Sequence, residues 1–288
     1  MTDETKIQPE NKTPHLFKIT TLAEQGPNFP IAPLVGGKPV QDRSFSFLEW
    51  DMKMEERVSA ARQKAKSVGQ FVNSMFGLLL DRFCGQDFQA MTEGERTLKI
   101  NQLEFSNVMY AYVWLRADEL GPELKMDITC PSTSCGKLNK DFVADLNTLE
   151  IHVKDAEHQR TVDYILHKPI STKDGKIITG LKLDISKWDA LERVDKDNAG
   201  NEGAMKRLMF ESAVSGLLDA KGPIEGFHDV KTIIQQLKKR DIEQVIRAVV
   251  ENNAGPHMAL KGECVHCKGE FFKMLDWKYD YFFDSSSL

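Results

Sequence analysis

Apolar positions change period several times along the chain, and each change marks an element. Residues 1–43 show no sustained period, and Pro27, Pro30, Pro33 and Pro39 forbid a helix, so this stretch reads as an extended or disordered arm. From Phe47 to Phe83, Val58, Ala61, Ala65, Val68, Val72, Met75 and Leu79 recur at three and four, which predicts a helix that Gly69 divides. Cys84 ends this apolar stretch and reads as a core residue. Thr92-Glu-Gly-Glu95 has the form of a capping box and opens a helix that runs to Leu120, where Gly121-Pro122 stops it. Alternation then predicts strands on either side of Cys130 and Cys135. Two further strands, His158–Ile165 and Lys176–Ile185, flank the turn Ser171-Thr-Lys-Asp-Gly175. Helical spacing returns at 187–194, 203–218, 228–238 and 241–253, the last with Asp241 as its expected N-cap. Gly255-Pro256 ends it, and a second strand, cysteine turn, glycine and strand follow.

The order helices, Gly-Pro, cysteine hairpin thus occurs twice, and it predicts an α+β chain. The expected parts are an arm over 1–43, a helical half over 44–154 ending in the first hairpin, and a β-hairpin plus helical half over 155–288 ending in the second. Cys130 and Cys135 stand at the tip of one hairpin, Cys264 and Cys267 at the tip of the other. Gly136 and Gly269 supply the positive φ that a tight turn around a metal needs. A hairpin presenting two thiolates is half of a tetrahedral zinc site. The expected centre is therefore one structural Zn²⁺ shared by Cys130, Cys135, Cys264 and Cys267, a split four-cysteine site like a zinc ribbon. Closing the loop of roughly 128 residues between the pairs costs on the order of 4 kcal/mol plus a constant. A structural zinc site contributes on the order of 10–16 kcal/mol, which outweighs that cost. The alternatives are four buried free cysteines or disulfides. The polar stretch Met1–Pro14 reads as no signal peptide, which makes a reducing cytoplasm the expectation and disfavours disulfides. His266 could replace a thiolate, but with four cysteines available it is expected to face solvent.

Charge and composition narrow the function classes. The 288 residues carry a formal net charge of −5 with both signs interspersed, unlike the basic face of a dedicated nucleic-acid binder. No apolar run reaches the 18 or so residues of a membrane span. A P-loop, a G-x-S-x-G elbow, an H-E-x-x-H pair and a dinucleotide glycine fingerprint are all absent, so no catalytic residue is assigned. His152, His158, His167, His228 and His257 form no recognisable cluster in sequence. Asp195–Gly200 has a superficial calcium-loop pattern, but Lys206 stands where the bidentate glutamate belongs, so it reads as a polar linker. A closed four-thiolate site also lacks the open position of a catalytic zinc. The competing reading is a zinc-ribbon nucleic-acid or transcription module. Against it, Lys137, Lys140, Lys261 and Lys268 around the knuckles are offset by Asp127, Asp141, Asp145, Glu263 and Glu270.

Three segments carry a resemblance: Trp114-Leu-Arg-Ala-Asp-Glu-Leu-Gly121 leading into Met126–Gly136; Leu237–Val245 with Asn253-Ala-Gly255 and Cys264-x-x-Cys267; and the ending Tyr281-Phe-Phe283. In this order, over roughly residues 45 to 283, the chain resembles the T4-type bacteriophage baseplate protein family. It departs from that pattern in its wider first cysteine pair and its long polar arm. The resemblance implies a non-enzymatic role in the baseplate or hub of a contractile tail, with other tail proteins as partners. It implies residence in the bacterial host cytoplasm during assembly or in the virion's tail baseplate. No nucleic acid, membrane or small-molecule substrate is expected. Two stretches read as candidate partner contacts, Phe29–Val40 and Trp277–Phe283.

Overall fold

The computed structural model describes residues 18–154, 160–172, 174–189, 210–224, 230–252 and 254–275. The expected arm is, from Lys18 on, part of the molecule's core. It forms β1 (Lys18–Thr21), α1 (Leu22–Gln25), β2 (Leu34–Val35) and β3 (Lys38–Pro39). Leu22, Phe29, Ile31 and Ala32 are at most 1% exposed. The prolines do forbid a long helix here, but each apolar side chain between them is inserted singly. The backbone is satisfied across the loop instead, with Phe29 N–H donating to Arg43 O (2.9 Å) and Phe45 N–H to Pro27 O (3.0 Å).

The helical stretch expected over 47–83 begins and ends in strand. β4 (Phe45–Phe47) pairs antiparallel with β5 (Leu80–Phe83), and β5 with β6 (Gln86–Asp87). Cys84 is half-buried in the two-residue turn between β5 and β6, with φ 50° beside Gly85 at 74°. Positive φ at both positions is the pattern of a type I′ hairpin. Between β4 and β5 lie α2 (Met52–Lys64) and α3 (Val68–Leu79). The break falls before Gly69, because the Ser67 hydroxyl accepts from Gln70 N–H (3.1 Å) and caps α3. Thr92 and Glu95 do form the capping box of α4 (Glu93–Gln102), and a break at Leu103–Glu104 separates it from α5 (Phe105–Leu120). α5 is buried on nearly every side, from Val108 through Val113.

Beyond α5 come β7 (Glu123–Thr129), β8 (Leu138–Asp145) and β9 (Glu150–Val153), the last lying between β1 and β14 (Gly255–Pro256). The intervening chain builds a second core of its own. There β10 (Val162–Ser171), β11 (Ile177–Leu183), β12 (Val214–Asp219) and β13 (Gly222–Pro223) form an antiparallel sheet. The helices α6 (Val230–Gln236) and α7 (Lys239–Asn252) contribute Ile233, Ile234, Val245 and Val249 to the same core as Leu166, Ile178, Leu181 and Leu217. The helix expected over 203–218 is a helix only to Ala213 in its described part, and β12 follows. Asp241 is no N-cap. It sits inside the first turn of α7, 2% exposed, and its carboxylate accepts from His167 N–H (2.9 Å) and the Tyr164 hydroxyl (3.2 Å). It therefore ties α7 to β10.

The last described strands, β15 (Ala259–Glu263) and β16 (Glu270–Met274), return to the first core, to which Leu260 and Leu275 belong. The second core is thus inserted between two cysteine hairpins that both pack on the first body, rather than forming one half that ends in its own hairpin. The return needs Gly255. Its φ is +108°, and a Cβ there would lie 2.7 Å from Ser106 Cβ on α5. A buried joint links inserted and first bodies. Arg160 pairs with fully buried Glu104, Asn107 donates to Glu104 (2.7 Å), and the Trp188 indole N–H donates to Asn73 (2.7 Å). Among the described residues no helix is long and apolar enough to cross a membrane. The runs 190–209, 225–229 and 276–288 lie outside the described residues, and with them the Asp195–Gly200 loop and the Trp277–Phe283 segment; so does His158.

Candidate metal centre

The two cysteine hairpins are built alike. In β7 the inward positions are Leu124, Met126 and Ile128; in β8 they are Asn139, Phe142 and Ala144. Asn139 and Phe142 are three apart, so they share a face only because the register shifts opposite Asp127. Asp141 takes φ 50° there, and its N–H donates to the Asp127 carboxylate (3.0 Å). The helix leading in is fixed by Arg116. This guanidinium, 1% exposed, donates to the carbonyls of Gly121 and Glu123 (3.0 Å for the latter) and so clamps the end of α5 to the start of β7. Burial pushes its pKa down from the ordinary value.

At the tips, Cys130 N–H donates to Lys137 O and Cys264 N–H to Gly269 O, each at 2.9 Å. These bonds close the two knuckles in the same way. Gly136 has the expected positive φ of 58°, but in the second knuckle the left-handed residue is Lys268 (61°), not Gly269. Lys268 N–H bonds back to Cys264 O (2.8 Å), which holds that turn without a glycine at the strained position.

The fold brings all four expected ligands together. Cys130 Sγ lies 3.8 Å from Cys267 Sγ, and Cys135 Sγ lies 3.8 Å from Cys264 Sγ. All four sulfurs lie within 4.8 Å of one another. A tetrahedron of sulfurs about 2.3 Å from a central zinc has edges of about 3.8 Å, the separation found in the Cys130–Cys267 and Cys135–Cys264 pairs. Cys130 and Cys264 are buried, Cys135 is half-buried and Cys267 is exposed. The N–H groups of Cys267 and His266 pull the Cys264 thiol down to about 6. Although the Ser132 N–H acts in the opposite sense, burial and the three other thiols push Cys130 up to about 12.

His266 does not point into the cage. It is exposed, and its Nε2 lies 3.1 Å from Leu138 O on the other hairpin. Sequence reasoning missed Asn139. This residue is 1% exposed; its amide donates to Ile128 O (3.0 Å) and accepts from Val265 N–H (2.9 Å), joining the hairpins beside the thiols. Ile128 and Phe271, whose ring lies 5.5 Å from that of Phe142, close an apolar floor below the sulfurs. It also missed that His152 and His257, distant in sequence, stack at 6.1 Å where β9 meets β14. Cys84 is remote from the cage in a separate hairpin, and burial pushes its thiol up to about 12.

Comparison with protein-family models, with curated proteins and with solved structures finds no match to this chain.

Proposed function

We propose that this chain is a non-enzymatic structural or assembly protein of a phage contractile-tail baseplate, held in shape by one structural Zn²⁺. The observation that carries the metal assignment is the cluster of four thiols within 4.8 Å of one another, with two pairs at 3.8 Å, drawn from two hairpins far apart in sequence. Thiolates of this number suit zinc, and four protein ligands leave no position for substrate. The baseplate assignment rests on the ordered motifs, one of which has a physical role here: the buried Arg116 of Trp114–Gly121 aims the chain into the first knuckle. On this reading the protein meets hub, baseplate or tail proteins in the bacterial host cytoplasm and is then carried in the tail or released. The nucleic-acid alternative is weakened by the knuckle lysines, since Lys261 pairs with Glu270 (2.7 Å) and Lys268 with Glu263 (3.7 Å).

Two experiments test the two parts separately. Native mass spectrometry with metal analysis should find one zinc per chain, with zinc–sulfur distances of about 2.3 Å by X-ray absorption. A folded metal-free protein would remove the zinc assignment. Deleting the gene from its phage or tail locus should leave particles without functional tails, and normal infective particles would remove the baseplate assignment. DNA binding at physiological salt, with no tail protein in pull-downs, would transfer the reading to the nucleic-acid class.

A further inference from the structure

A groove lies between the start of α2 and the end of α5, and none of the four clustered cysteines lines it. Its volume is about 240 Å³, and it is lined by Trp50, Asp51, Met52, Glu55, Glu119 and Leu120. Met52 is 78% exposed and Leu120 37%, although both are large apolar side chains. Exposed apolar surface with a polar rim is characteristic of contact sites, and methionine is enriched in them. Three of the lining residues, Asp51, Glu55 and Glu119, are carboxylates, and no cation is among them. The stretches 49–55 and 118–123 hold six carboxylates, Glu49, Asp51, Glu55, Asp118, Glu119 and Glu123, against the single cation Lys53. Two of these carboxylates are already used internally: Asp51 caps α2 by accepting from Met54 N–H (2.7 Å), and Glu55 accepts from the Trp50 indole N–H (2.7 Å). Those bonds fix the groove's wall. Burial and the nearby Asp118 push the Glu119 carboxyl up, against a lowering hydrogen bond from Trp50 N–H, and Glu49 adds to the rise. The carboxylates therefore crowd one another.

We infer that this groove is a docking site for a lysine- or arginine-rich segment of a partner protein, with an apolar side chain seated against Trp50, Met52 and Leu120. Charge complementarity selects the occupant. The carboxylates repel nucleic acid and anionic lipid, whereas a cationic segment relieves their mutual repulsion. The exposed methionine and leucine add a requirement that a polyamine or metal cation does not meet, namely an apolar anchor between the positive charges. The groove is separate from the thiol cage, and its occupancy does not depend on the baseplate reading.

The test uses the full chain and a fluorescein-labelled synthetic peptide with Leu and Lys at helical spacing. Two control peptides replace every Leu by Ser, or every Lys by Glu. Anisotropy titrations at physiological salt should show binding of the Leu/Lys peptide alone. The variant Met52→Ser/Glu49→Gln/Asp118→Asn changes exposed side chains only and should weaken that binding by roughly tenfold or more. The variant Glu93→Gln/Asp163→Asn removes two carboxylates elsewhere and should leave it unchanged. Equal loss in both variants, equal binding of the Leu-to-Ser peptide, or no binding at all would overturn the inference. So would a concentration-dependent dimer in sedimentation velocity that Met52→Ser abolishes, since the groove would then serve a second copy of the chain.

Discussion

Asn139 joins two hairpins through one amide group, making a bond on each side of it. Replacing it by Ala leaves a buried carbonyl and N–H without their partner. Denaturant unfolding should show a loss of about 1–3 kcal/mol for Asn139→Ala. Cys264→Ser removes a buried thiol of the proposed zinc site, so its thermal transition should fall steeply or vanish; an unchanged Tm would show that the cage holds nothing structural. Lys154 supplies a pH signature. It is 2% exposed, and burial brings its pKa from 10.5 down to about 7. Between those values the unfolded chain binds a proton that the folded chain does not, so stability rises with pH, by at most about 1.4 kcal/mol per pH unit. The stability difference between Lys154→Met and wild type should shrink across that interval, and a difference independent of pH would contradict the assignment. That the four cysteines would come together was legible in the sequence, because two hairpins each carry a closely spaced pair at the tip and a thiol pair is half of a tetrahedral site. Asn139 was not, since it reads only as the start of the alternating stretch Asn139–Leu146, where a polar residue gives no sign of facing inward. Its inward aim depends on the register shift opposite Asp127, which no local pattern announces.

Where the end signal is closed by local bonds the element starts where the sequence places it, whereas Asp241, an end signal by residue type, spends its carboxylate on β10 instead. The capping box at Thr92 marks its helix because both of its bonds are local, and Thr92→Ala should cost about 1 kcal/mol, measurable by chemical denaturation. The Asp-Gly turn likewise fixes the hairpin of β10 and β11, with Gly175 at φ 81°. By contrast, Val214-Ser-Gly-Leu-Leu-Asp219 is a short apolar run whose period suits helix or strand equally. Only its pairing with β11 decides it. The stretch from Lys18 to residue 43 shows a second kind of failure. Periodicity detects repeating faces, and this segment buries its side chains one at a time between prolines.

At the scale of the molecule, the first core holds residues from Leu22 to Leu275 while the second occupies only the interval from Tyr164 to Val249. Metal removal should therefore act unevenly. With zinc bound and then chelated, hydrogen exchange should show β7, β8, β15 and β16 losing protection while β10 to β12 and α7 retain it. Uniform loss would mean that the two cores unfold as one unit. The same insertion imposes an order during synthesis. The chain from Cys135 to Cys264, 129 positions on, takes roughly 6 to 26 s to translate at ordinary ribosome speeds. Throughout that interval the nascent chain presents a two-thiol half-site with nothing to complete it, while the inserted body has time to fold and stand clear. The last knuckle to leave the ribosome is the one that seals the first.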